Sequence, residues 1–125
     1  MSIHLSYIDN NKGIYVSLEG EVTLNDFISA ASDAYSEEHI QDQKYQIIDF
    51  TNCSSFNLST NDMLEIAKID KKASIKNPSI RIAIIAPNDL TFGMSRVYEA
   101  YADDTGFDIK VFRNSNDAKL WIEKN

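Results

Sequence analysis

Asp49 closes the segment YQIIDF, where a strand should give way to a loop, and it is the acid best placed to accept a phosphoryl group. That chemistry also needs a pair of further acids to hold magnesium, and a free lysine at a strand end to meet the phosphate. The first hairpin offers no such pair, and Lys110 lies inside its strand, so an aspartate closing the strand-to-loop turn is the simpler account. Cys53 would be a reactive thiolate at a helix N-terminus, but no partner base is visible, and as the only cysteine it cannot form an intrachain disulfide. His4 and His39 fall on a strand and after a helix, which is not a spaced metal pair. Glu19 and Glu21 flank Gly20, and Asp103-Asp104 follow a helix; such carboxylates suit a hard cation, yet the Asp-x-Asp calcium spacing is absent and solvated acids are expected. Gly93-Met94-Ser95-Arg96 lacks the second glycine of a nucleophile elbow, and the chain has no glycine-rich phosphate loop. Arg96, off the apolar stripe of its helix, and Arg113, just after the last strand, are two guanidiniums near strand carboxyl ends that could receive an anion. Pairing with local acids such as Asp89 or Glu99 is the competing account. The set holds no nucleophile–base couple, metal cluster or phosphate cradle, so the expectation is a protein that is not an enzyme and needs no cofactor.

The elements that carry these residues alternate along the chain. Ile3, Leu5 and Tyr7 alternate with polar residues, Asn10 to Gly13 form a turn signal, and Ile14, Val16 and Leu18 alternate again, which predicts an antiparallel hairpin. Thr23 with Asp26 starts a helix whose stripe is Leu24, Phe27, Ile28, Ala31 and Tyr35 and which ends near His39. A strand over 45–50 leads into a loop from Thr51 to Asn57. Ser59 with Asp62, stapled by Leu58 and Met63, opens a helix running to about Lys76. IRIAIIA, 80–86, is the clearest strand. Asn88 or Asp89 caps a helix with Leu90, Met94, Val97, Tyr98 and Tyr101 on one stripe and Gly106 as its stop. A strand over 108–112 precedes a last helix capped by Asn114 or Ser115 and carrying Ala118, Trp121 and Ile122. The order β-β-α-β-α-β-α-β-α predicts an α/β domain over 1–125 with a five-stranded, mixed, mostly parallel sheet, its first strand antiparallel at an edge.

One sheet face reads as uniformly apolar, through Ile3, Leu5, Ile14, Val16, Leu18, Ile82, Ile84, Ile109 and Val111. The other is mixed, with His4, Ser6, Tyr15, Ser17, Glu19, Gln46, Arg81 and Lys110 among Ile48, Ala83, Ile85 and Phe112. Most helices should therefore lie on one face, leaving the other partly open or covered by one element or a partner chain.

Composition narrows the partners. A formal net charge of −7 and twelve scattered basic residues argue against nucleic acid and anionic membrane surfaces. The start, MSIHLSYIDNN, lacks the features of a signal peptide, and no apolar run is long enough to span a bilayer, which leaves the cytoplasm as the expected compartment.

The second half, "IRIAIIAPNDLTFGMSRVYEAYADDTGFDIKVFRNSNDAKLWIEKN", with "VSLEGEVTLNDF" and "YQIIDFTNCSSFNLS" before it, resembles the SpoIIAA-like group of small bacterial domains, related to STAS and CRAL-TRIO domains. The resemblance spans nearly the whole chain and rests on apolar and turn residues. It implies a β-α superhelix. It also implies two sites. In anti-sigma-factor antagonists of this group a serine near the start of a helix is phosphorylated; Ser54, Ser55 and Ser59 lie in the corresponding region, although the Asp-Ser-x-Gly pattern is missing and Ser59 already serves as a cap. By analogy with the lipid-binding relatives, Phe50, Phe56, Phe92 and Tyr98 would line a pocket for a small apolar molecule. The leading expectation is a non-catalytic interaction or regulatory module, homodimeric because the half-apolar second sheet face and the Tyr/Phe-rich helices suggest association; the alternative is a carrier or sensor of a small apolar ligand or lipid.

Overall fold

The computed structural model describes residues 3–124. In chain order these form β1 (Ile3–Ile8), β2 (Gly13–Leu18), β3 (Gly20–Val22), α1 (Leu24–Ala34), β4 (Tyr45–Asp49), β5 (Cys53–Phe56), α2 (Thr60–Lys76), β6 (Arg81–Ile85), α3 (Asp89–Tyr101), β7 (Asp108–Phe112) and α4 (Ser115–Glu123). The main sheet has the order β1-β2-β4-β6-β7, with β1 antiparallel to β2 and every other pair parallel. The hairpin turn places Asp9, Asn10 and Asn11 at φ of 56°, 54° and 67°, the left-handed region that Asn and Asp tolerate better than most residues.

The caps form as the spacing predicts. Thr23 donates its backbone N–H and hydroxyl to Asp26 Oδ2 at 2.9 and 3.1 Å. Ser59 and Asp62 bond reciprocally, with Leu58 and Met63 buried as the staple. Asn88 and Asn114, rather than their neighbours, cap α3 and α4. Two boundaries differ. α1 stops at Ala34, short of His39, because Glu37 and Glu38 would sit against the negative end of the helix dipole. α3 stops at Tyr101, before Gly106, which instead lies against Pro78 with no room for a larger side chain to pass freely.

The stripe expected on α3 is rotated. Leu90 and Tyr101 are exposed, and the buried positions are Thr91, Ser95 and Tyr98. Small hydroxyl residues let helices approach closely, and the Thr91 hydroxyl is already satisfied by Asn88.

α1, α2 and α3 cover one face of the sheet, built from Ile3, Ile14, Val16, Leu18, Ile82, Ile84 and Val111. α4 alone covers part of the other, over β4, β6 and β7, where Ile47, Ala83, Ile85 and Ala118 are buried beneath Trp121 and Ile122. The lopsided coverage expected from the residue pattern is therefore observed, with α4 as the covering element. The mixed-face placement of Gln46 and Ile48 is wrong. Parallel register sets Ile48 beside Val16 and Ile84, and Gln46 beside Ile14 and Ile82, so both point to the three-helix side.

The segment 51–57, expected as a loop, contains a strand. β5 pairs in parallel with β3 to make a second, two-stranded sheet. The ladder is irregular between Gly20 and Glu21, and Gly20 takes φ 66°, a conformation that costs glycine least. Among the described residues no helix is long and apolar enough to cross a membrane.

Candidate functional site

The three-helix face does not close completely. Between the sheet and α1–α3 lies a cavity of about 70 Å³. Its floor is Val16, Ile48, Ile82 and Ile84; Phe50 and Phe56 close it beside the small sheet. The room exists because α1 meets the cavity through Ala30, Ala31 and Ala34, side chains too short to fill the gap between one helix and a five-stranded sheet.

One carboxylate enters this apolar space. Asp70 sits on the core stripe of α2 with Met63, Ala67 and Ala73, and it is 6% exposed. Tyr35, just past the end of α1, donates its hydroxyl to Asp70 Oδ1 at 2.7 Å, and Tyr98 of α3 donates to Oδ2. Gln46 of β4 donates to the Tyr35 hydroxyl at 3.2 Å and to Gln43 Oε1 at 3.0 Å, and Gln43 in turn donates to the carbonyl of Ala34. Burial pushes the Asp70 carboxyl up to about 6, against the lowering effect of the Tyr98 and Tyr35 hydrogen bonds. Both phenols are raised well above their ordinary value, first by burial and next by the charge of Asp70. The chain thus holds an acid near its neutral point inside hydrocarbon, bonded to donors that do not compensate its charge.

Three of the four expected pocket residues, Phe50, Phe56 and Tyr98, line this cavity. Phe92 does not. It lies on α3 under the Arg113 guanidinium, 4.0 Å from the ring centre, where the cation holds it against the surface. The two arginines proposed for an anion are both engaged by acids: Arg96 with Glu99 at 2.8 Å and Arg113 with Asp89 at 2.9 Å, the latter also donating to the carbonyl of Pro87. Neither guanidinium faces the cavity lining.

The remaining candidates lie apart from it. Ser54 and Ser55 are exposed on β5, and α2 begins at Thr60 with Ser59 as its cap, so neither serine stands at the helix N-terminus. Cys53 is in β5 as well, and burial pushes its thiol up, away from the thiolate. Asp49 Oδ1 accepts from the backbone N–H and hydroxyl of Thr51, the strand-closing turn expected of it, while Tyr15 donates to its other oxygen. Asp104 lies beyond α3 and pairs with Lys71 of α2 at 2.6 Å, which holds its carboxyl below the usual range and accounts for an acid near a helix end. His4 pairs with Glu19, and His39 stacks on Tyr7. Among the described residues no group of His, Cys, Asp and Glu is arranged to hold a metal ion.

Sequence reasoning missed Asp70, Tyr35 and Gln46. The signal was present: an acid one turn from Ala67 and Ala73 on the buried side of α2 breaks an otherwise apolar stripe. Gln46 gave no such signal, because the residues of its strand do not say which face is buried.

Two solved structures share this architecture. An uncharacterised protein of the DUF3478 family with a SpoIIAA-like fold, from Shewanella loihica PV-4, is 21% identical and superposes with a TM-score of 0.56, over 96% of this chain and 91% of its own. The anti-sigma factor antagonist SpoIIAA in its unphosphorylated form is 10% identical with a TM-score of 0.61, over 98% of each chain. The fold is therefore SpoIIAA-like. No protein-family model matches the sequence, and no curated protein matches it.

Proposed function

We propose that this chain, built on the SpoIIAA-like fold, is a non-catalytic regulatory module of the cytoplasm that binds a small, largely apolar ligand and works through contact with a protein partner. The observation that carries the reading is the cavity under α1–α3, walled by Phe50, Phe56 and Tyr98 and holding a single acid. Asp70 receives two phenol hydrogens there, an arrangement that positions a carboxylate but supplies neither nucleophile nor base partner. The likeness to an anti-sigma factor antagonist supports a role among proteins, and the net charge of −7 favours a protein over a nucleic-acid partner. The partner, a second copy or another chain, would use the half of the reverse sheet face that α4 leaves open, near His4, Ser6, Tyr15 and Ser17. Native mass spectrometry of protein taken from cells is expected to show added mass that denaturation releases. A clean apo mass, with no stabilisation by short apolar compounds, would count against the ligand. A strict monomer by light scattering, with nothing captured from cells, would count against the partner.

A phosphoregulated form has one observation in its favour. Ser54 and Ser55 are solvent-exposed, and Ser55 stands beside Glu21 in the β3–β5 ladder. A phosphate at Ser55 would add roughly −1.5 to −2 charge next to that carboxylate and push the two strands apart. Hydrogen exchange of β3 and β5 should therefore quicken in Ser55→Glu and stay unchanged in Ser55→Ala; equal exchange in both variants would remove the reading.

A further inference from the structure

Asp70 is the feature of the cavity that packing does not explain. A carboxylate offers about four acceptor positions. Tyr35 and Tyr98 occupy one on each oxygen, so roughly two remain, and Asp70 is itself part of the cavity wall. The groups that face it are Tyr35 from the end of α1, Tyr98 from α3 and, through Tyr35, the uncharged Gln46 from β4. Among the described residues no Lys, Arg or His forms an ion pair with it; Lys71, its neighbour on α2, reaches outward to Asp104. A buried carboxylate satisfied only by neutral donors keeps much of its desolvation cost, which is why its proton is held up to about 6.

We propose that the cavity is a receptor for a small aliphatic amine, its ammonium group donating to the Asp70 carboxylate and its alkyl body lying among Phe50, Phe56, Ile66 and Ile84. The inference rests on the reading of this cavity as a ligand site and names the class of ligand. An ammonium has donors and no acceptor, which matches an acceptor-only carboxylate whose phenol neighbours already point their hydrogens at it. It also supplies the missing positive charge. An alcohol would make the hydrogen bond and leave the charge uncompensated. A carboxylic acid would set two carboxyl groups against each other unless one were protonated. The volume limits the body to a short chain, since the cavity is roughly half the size of one known to take a benzene ring.

The competing class has its own support. A groove between α1 and α2 shares Ala31, Tyr35 and Ile69 with the cavity wall and is bordered by Lys72 and Lys76, which would favour an approaching acid. Three ligands of one shape separate these cases. The full chain, labelled for NMR, is titrated with ethylamine, ethanol and sodium acetate, each about half the bulk of a benzene ring, at pH 7.5 and pH 5. Ethylamine is expected to bind about tenfold more tightly than ethanol at pH 7.5 and to lose about tenfold at pH 5, where Asp70 has taken up its proton. Asp70→Asn should lose both the preference and the pH dependence while still taking ethanol, which reports an intact cavity. If that variant does not fold, the wild-type series decides alone. Ethanol or acetate binding as well as the amine would overturn the amine class and leave the ligand site standing. No response at the cavity residues to any of the three would overturn the ligand site itself.

Discussion

α4 comes down on the reverse face of the sheet with Ala118 in one buried cluster with Ala83, Ile47 and Ile85, and Trp121 and Ile122 finish the cover. α1, α2 and α3 span the opposite face and leave a cavity between them, with Asp70, Tyr35, Tyr98 and Gln46 hydrogen-bonded at its side. The strands are the same; only the outward parity of their residues differs. One short helix that meets the sheet through Ala118 against Ala83 can approach closely and leave no cavity. Three helices bridging a wider surface, one of them faced with alanines, cannot fill it, and the remaining space is where a polar group can be held. In this molecule the room for binding comes from small residues on a helix, and its polarity comes from a single acid in the α2 stripe.

The largest test of that contrast is electrostatic. The folded-state value of Asp70, about 6, lies above the ordinary 3.8, so the folded chain binds the proton more tightly than the unfolded one. Stability from this group is therefore present below about pH 4 and lost as pH rises through about 6, by about 3 kcal/mol. Chemical denaturation of wild type and Asp70→Asn between pH 4 and pH 7.5 should show the wild type losing ground to the variant as pH rises; parallel curves would mean the acid is not desolvated. Next is packing. Ala118→Leu should cost about 2 kcal/mol because the α4 face has no space, whereas Ala30→Leu should stay within about 0.5 kcal/mol by growing into the cavity. Equal losses would erase the difference between the faces. The smallest effect concerns Arg81, whose guanidinium lies 4.0 Å over the Trp121 ring and donates to the carbonyl of Ile122. Arg81→Lys keeps the charge but loses the planar fork, and thermal unfolding should register about 1 kcal/mol.

Much of this was legible in the residues. Ile3, Leu5, Ile14, Val16 and Leu18 alternate with polar neighbours, so their faces follow from strand geometry. The Ser59–Asp62 box and the Leu58–Met63 staple are local and were readable as such. Tyr45 to Asp49 was not, because one parity carries Gln46 and Ile48 and the other Tyr45, Ile47 and Asp49, so each mixes polar and apolar residues and either face looks tenable. Cys53–Phe56 escaped because four polar-rich residues become a strand only when Gly20–Val22 lies alongside. Phe50, Phe56 and Tyr98 were named from a resemblance and line the cavity, while Phe92 packs against the core beneath Arg113, a contact that no spacing reveals.

The chain by itself determined the order of the helices and of the main-sheet strands, the caps, the hairpin and the uneven greasiness of the two sheet surfaces, since all of these depend on neighbours within a few residues. Tertiary structure alone decided that Tyr35, Gln46, Asp70 and Tyr98, from four separate segments, meet at one cavity. Their meeting depends on parallel register and on how far each helix stands from the sheet, and both are settled by the packing of the whole rather than by any local run of residues.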